Sequence, residues 1–265
     1  MKISPSVNAL RLQLVSDLHL EFLNKEQVEE LADRISYNTS ADVLILSGDI
    51  CSFSSEFINN LYTFLDVIKD NYSDIIYVLG NHEYYGTSKQ KVHEFRHTLK
   101  GYYSNLYILE NESVTIRKFE VEDVTFYGTT LWFEETVETS LIQYSLNDYR
   151  YIKDFTPDVW CRKALSYIRN IPNDESKKVL ITHHVPHSRF ISSKYVGNEM
   201  NCFYLNEIGK YLNKFDLVTF GHSHESVNYQ FSDRTLAMSN PRGYIDSPNL
   251  EGTNDKFNYQ LIVEV

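Results

Sequence analysis

Five times along this chain a short apolar run stops at a carboxylate, an imidazole or an amide. Residues 10–16 end in Asp17-Leu18-His19, and Val43-Leu44-Ile45-Leu46-Ser47 ends in Gly48-Asp49. Ile75-Ile76-Tyr77-Val78-Leu79 ends in Gly80-Asn81-His82-Glu83. Val179-Leu180-Ile181-Thr182 ends in His183-His184, and Leu217-Val218-Thr219-Phe220 in Gly221-His222-Ser223-His224. Short apolar runs bounded by turn residues read as buried strands. Between the first three, residues 25–36 (Val28, Leu31, Ala32, Ile35) and 57–69 (Phe57, Leu61, Phe64, Leu65, Ile68) repeat at helical spacing. Strand and helix in alternation build a parallel sheet with both faces covered. Parallel strands end on one edge, so the five polar ends can converge in a single crevice.

The rest of the chain changes character. After a helix at 87–99, the runs 106–109, 113–118 and 124–128 lie close together, which predicts a second stretch of sheet with antiparallel pairing. Residues 132–155 are polar and tyrosine-rich, an excursion over the surface with some helix. Pro157 to Ile171 reads as a helix, and further strands are expected at 226–231, 234–238 and 258–264. No repeat or Pro/Gly/Ser-rich linker divides the 265 residues, so one domain over 1–265 is expected.

Charge and cysteine content exclude some classes. With a formal net charge of −11, the chain lacks the basic face that tracks a nucleic-acid backbone, which disfavours nucleic acid as a partner. Cys51, Cys161 and Cys202 are widely spaced and odd in number, which argues against a disulfide framework. The start Met1-Lys2-Ile3-Ser4 is unlike a signal peptide, and no apolar run approaches a membrane span. The expectation is a cytoplasmic protein with no membrane partner.

The strand-end side chains also indicate an ion. Carboxylates, imidazoles and one amide oxygen suit Mn, Fe, Zn or Ni, whereas an all-oxygen set suits Mg or Ca. Such a set exceeds one tetrahedral site but fits two ions about 3.5–4 Å apart, an arrangement suited to in-line displacement at phosphorus. Taken alone, Asp-x-His, Gly-Asp or a histidine pair is commonplace; the weight lies in five strands ending alike.

The order Asp-x-His, Gly-Asp, Gly-Asn-His-Glu, His, Gly-His-x-His over residues 17–224 resembles the calcineurin-like metallophosphoesterase superfamily. The resemblance implies an α/β fold, a four-layer α/β/β/α sandwich of two mixed sheets with a dimetal site at the strand ends. It implies that Asp17, His19 and His224 hold one metal, Asn81, His183 and His222 the other, and that Asp49 bridges them. His82 would assist the leaving group as a general acid or transition-state donor while metal-held hydroxide attacks phosphorus. His183 is taken as the ligand over His184 because successive strand side chains point to opposite faces. Glu83 reads as support for backbone amides, and His187 as a surface residue.

Asn147-Asp148-Tyr149-Arg150 and Asn240-Pro241-Arg242-Gly243-Tyr244 resemble segments of small bacterial and phage-type members, as does Thr129-Thr130-Leu131-Trp132. Arg150 or Arg242 could fork a phosphate, or brace a loop. Tyr84 and Tyr85 could wall a pocket, or pack in the core. The protein-phosphatase branch carries a second Asp and an Arg after Gly-Asp and an Arg after Gly-Asn-His-Glu. Here Gly48-Asp49-Ile50-Cys51-Ser52 and Glu83-Tyr84 lack them, so the acid that would orient His82 is unidentified. The expected activity is a phosphodiesterase or phosphatase on a small nucleotide-like substrate, with Mn first among the metals. Alternatives are a non-catalytic scaffold of the same fold that binds a protein partner, a phosphoprotein phosphatase or a nuclease.

Overall fold

A computed structural model describes residues 9–245 and 252–265. Its strands are β1 (Arg11–Val15), β2 (Val43–Ser47), β3 (Asp74–Val78), β4 (Leu106–Leu109), β5 (Glu112–Ile116), β6 (Val124–Thr129), β7 (Lys177–Thr182), β8 (Leu217–Phe220), β9 (Val227–Gln230), β10 (Leu236–Ser239) and β11 (Ile262–Glu264). The helices are α1 (Lys25–Ser36), α2 (Ile58–Ile68), α3 (Lys89–Tyr102), α4 (Val137–Ile142), α5 (Asp148–Tyr151) and α6 (Pro157–Asn170), followed by short turns at 201–204 and 209–212. No helix among the described residues is long and apolar enough to cross a membrane.

Capping fixes where the helices begin. Asn24 accepts from Gln27 N–H while the Gln27 side chain accepts from Asn24 N–H, a reciprocal pair that starts α1. Ser88 caps α3 through Lys91 N–H, and Pro157 opens α6, where its missing N–H costs nothing.

Two mixed sheets result. The first has the order β11-β1-β2-β3-β4, parallel except for the edge strand β11. The second is β5-β6-β7-β8-β10-β9, parallel through β6, β7, β8 and β10 with antiparallel edges. The antiparallel pairing expected for 106–128 is therefore confined to β5 and β6. Strand β4 instead joins β3 in parallel, because the helix between them provides the crossover that parallel pairing needs.

Alternate strand residues face different layers. Leu44 and Leu46 of β2 pack with Val28, Leu31, Leu61 and Phe64 of α1 and α2. Val43 and Ile45 turn the other way, onto Phe126, Val179 and Ile181 of the second sheet. Leu180 and Val218 face Ala164 and Ile168 of α6. The layers run helix, sheet, sheet, helix, the sandwich expected from the sequence. Neighbouring strands end level: Val15 lies beside Leu46, and Ser47 beside Val78. That registry delivers the polar strand ends to one rim.

Candidate metal centre

The turns that leave the strands are laced to one another. Asp17 N–H donates to Gly48 O (2.9 Å) and His19 N–H to Asp49 O (3.1 Å), which joins the turns after β1 and β2. Gly221 N–H donates to His183 O (3.0 Å), joining those after β8 and β7. Asp17 (φ 52°), His19 (φ 50°), Asp49 (φ 53°), His222 (φ 69°) and His224 (φ 50°) all adopt left-handed backbone. Each such residue costs on the order of 1–3 kcal/mol, and strain of this kind collects at functional sites. Gly80 is not left-handed. Its role is room, since a Cβ there would collide with the Asp49 carboxylate.

Two groups of ligand-type atoms contain the expected ligands, each with all its atoms within 4.8 Å of one another: Asp17, His19 and His224, and Asp49, His183 and His222; His19, Glu21 and His82 form a third beside them. His19 Nε2 lies 3.1 Å from His224 Nε2, which in turn lies 3.4 Å from Asp17 Oδ1. In the second group, His183 Nε2 is 3.3 Å from Asp49 Oδ1 and 3.0 Å from Asn81 Oδ1. Asp49 reaches both groups, its Oδ2 being 4.0 Å from His19 Nε2. All seven residues expected to hold metals are thus brought together, and among the described residues no cysteine joins them.

The donor chemistry fits cations. Asp17 Oδ2 and His222 Nε2 are buried without a hydrogen-bond partner, which is costly unless an ion satisfies them. Burial, with the charges of His184 and His183, pushes the His222 pKa well below the usual imidazole value, so its ring is neutral with a lone pair to give. Burial opposes charge on His183 as well, yet the carboxylates of Asp49 and Asp17 outweigh it and raise its pKa to about 10. Positive charge is favoured at this point of the fold. His184 faces away, its Nδ1 3.0 Å from Thr130 O and its ring 4.3 Å from that of His222. The segment 129–132 therefore holds a histidine that backs the centre.

His82 sits at the edge of both groups. Its N–H donates to Asp49 Oδ1 (2.9 Å), its Nε2 lies 3.9 Å from Asp49 Oδ2, and its ring stacks on Tyr85 at 4.3 Å. The acid that the sequence left unidentified is Glu21. Its Oε1 lies 2.7 Å from His82 Nδ1 and 3.2 Å from His19 Nδ1, and its Oε2 accepts from Ser52 N–H. Burial favours the neutral carboxyl of Glu21, but the hydrogen bonds of His19 and His82 lower its pKa to about 2. Burial likewise opposes charge on His82, and the charges of Asp49 and Glu21 with the Glu21 hydrogen bond raise it to about 9. Glu83 accepts from Asp49, Ile50 and Gly80 N–H and from Tyr77 OH, the supporting role read from the sequence.

The expected substrate residues lie elsewhere. Arg150 is exposed and donates to Tyr144 O, and buried Arg242 donates to Leu18 O, bracing the loop that carries Asp17 and His19. Tyr84 is buried between Trp132 and Trp160, while Tyr85 takes the place against His82. The residue of segment 147–150 that reaches the centre is Asp148, buried, accepting from Asn81 Nδ2 (2.9 Å) and Tyr85 OH (2.7 Å). Those bonds turn the Asn81 oxygen toward His183. A cavity of about 370 Å³ opens over Asp49, His82 and His222, walled by stretches 145–147 and 191–204.

Comparison with known proteins follows the geometry. Residues 10–226 match the family described as calcineurin-like phosphoesterase. An uncharacterized protein of Acanthamoeba polyphaga mimivirus is 27% identical over 90% of this chain and 97% of its own. Among solved structures, the phosphopantetheinyl hydrolase of Mycobacterium tuberculosis superposes with a TM-score of 0.71 over 98% of this chain and 96% of its own, at 14% identity. A dimetal phosphatase of Danio rerio gives a TM-score of 0.51 over 91% of this chain and 89% of its own, also at 14% identity. At such identities the likeness is one of fold.

Proposed function

The chain belongs to the calcineurin-like phosphoesterase family, and from that premise we propose that it hydrolyses a small, nucleotide-like phosphodiester or phosphomonoester with two divalent metals. Asp17, His19 and His224 would hold one ion, Asn81, His183 and His222 the other, with Asp49 between them. Bound there, Mn²⁺ (or Fe, Zn or Ni) would acidify a water and offset charge on the phosphoryl oxygens. The chain's own side chains do the rest. Asp148 fixes the Asn81 amide, and Glu21 fixes the His82 ring with Nε2 toward the cavity. Hydrolysis adds OH to phosphorus and breaks the bond to the leaving group; His82 would supply the proton that the departing oxygen takes.

The observation that carries this reading is the position of Asp49, within 4.0 Å of His19 in one group and 3.3 Å of His183 in the other, with His82 3.9 Å away. The modest cavity supports a small substrate.

Metal analysis after loading with Mn²⁺ should find about two ions per chain. The loaded protein should release p-nitrophenol from bis(p-nitrophenyl) phosphate or p-nitrophenyl phosphate. Asp49→Asn and His222→Ala should abolish this turnover while circular dichroism stays native. Wild-type rates in either variant would sink the proposal.

A further inference from the structure

The cavity has further lining beside the groups used above, and Tyr244 OH lies 3.4 Å from His82 Nε2. Beyond Asp49 and His82 the cavity is walled by Tyr204 and Tyr244, with Leu146, Met200 and Asn147 beside them. The Tyr204 ring lies 4.6 Å from that of His222, and the Tyr244 ring 4.4 Å from that of His19, so both phenols border the two ligand groups directly.

The charge of this lining is distinctive. Among the described residues it includes a single lysine, Lys194, and no arginine. Lys194 is itself engaged: its ammonium pairs with the carboxylate of Glu225, which also lines the cavity, and lies 4.8 Å from the centre of the Tyr195 ring. Two divalent ions would bring four positive charges to a centre where Asp17, Asp49 and Glu21 carry negative ones. The surplus matches one phosphoryl group. A second phosphoryl group beside Glu225 would meet a like charge, with Lys194 already paired to that carboxylate, and like-charge juxtaposition is unfavourable.

Resting on the hydrolase reading, we propose that the cavity selects substrates with one phosphoryl group and an uncharged remainder. That remainder lies against Tyr204 and Tyr244, and Glu225 helps to exclude substrates that carry a further phosphate.

The test uses the Mn²⁺-loaded protein and two substrates with the same leaving group: p-nitrophenyl thymidine 5′-phosphate, and the same ester carrying an extra 3′-phosphate. The 3′-phosphate should lower kcat/KM by about tenfold or more. Calorimetry with the non-hydrolysable phosphonate analogues of thymidine 5′-phosphate and thymidine 3′,5′-bisphosphate should show the same preference without turnover. Glu225→Gln should shrink the ratio to within about threefold. Equal or tighter binding and faster turnover with the 3′-phosphate would overturn the inference, as would a ratio unmoved by Glu225→Gln for the part given to that residue. No turnover of either ester, with the binding preference intact, would overturn the hydrolase reading alone.

Discussion

At the scale of single residues, Glu21 is where the structure adds most. Asp17-Leu18-His19-Leu20-Glu21 stands in plain view in the sequence, yet nothing in its spacing says that Glu21 meets His82, 61 residues on. The meeting depends on a tight turn at Leu20–Phe22 that tucks the carboxylate inward, and on the lacing of the turns after β1 and β2. Tyr84 and Tyr85 make the same point. One step along a short turn exchanges a place against Trp132 for one against His82, and periodicity cannot resolve a single step there. A double-mutant cycle tests the Glu21 assignment. His82→Ala and Glu21→Gln should each lower kcat by about 10²–10³, and the double variant should be little worse than the poorer single one, since the two act as a unit. Losses that multiply would mean that Glu21 acts through His19 and the metal shell.

At the scale of elements, the strand ends and the four longer helices were legible because their signals are local: apolar runs and helical spacing. Strand β4 was misplaced because four residues carry no record of which strand they will join. Pairing there is decided by the length of the crossover. Contacts that tie elements together are equally silent. Asp42, just before β2, accepts from Arg11 N–H (3.0 Å) of β1 and lies 3.4 Å from Lys118 Nζ, beyond the end of β5 in the other sheet. Burial favours its neutral form, but the Arg11 N–H and the Lys118 charge hold its pKa below the ordinary 3.8. A carboxyl whose pKa falls on folding stabilises the protein above its unfolded value, and that contribution is lost as pH drops through the folded one. Because Asp42 is partly exposed, the effect is small, about 0.5 kcal/mol. Asp42→Asn should therefore lower Tm by about 1–2 °C at pH 7, and the gap should be smaller at pH 3. An equal gap at both pH values would show that the ion pair is not the source.

At the scale of the whole molecule, the candidate site is also the place where the two sheets meet. Asp17, His19, Asp49 and Asn81 come from turns of the first sheet, and His183, His222 and His224 from turns of the second. Without a cation this seam is unfavourable. It buries the carboxylates of Asp17 and Asp49, leaves Asp17 Oδ2 and His222 Nε2 unsatisfied, and holds five residues in left-handed backbone. The paired strands and the apolar layers on either side must offset that cost. Ions bound there would satisfy the orphaned atoms and clamp one sheet to the other, and a ligand that binds only the native state adds its binding free energy to stability. At a hundredfold excess over Kd each site contributes about 2.7 kcal/mol. Saturating Mn²⁺ should thus raise Tm by several degrees, and a chelator should reverse the rise. Asp49→Asn, which touches both groups, should lose most of the shift, whereas His82→Ala should keep it, because His82 is assigned to the substrate and not to the ions. A Tm indifferent to Mn²⁺ and chelator would contradict the metal assignment, and a His82 variant that lost the shift would make that residue a ligand.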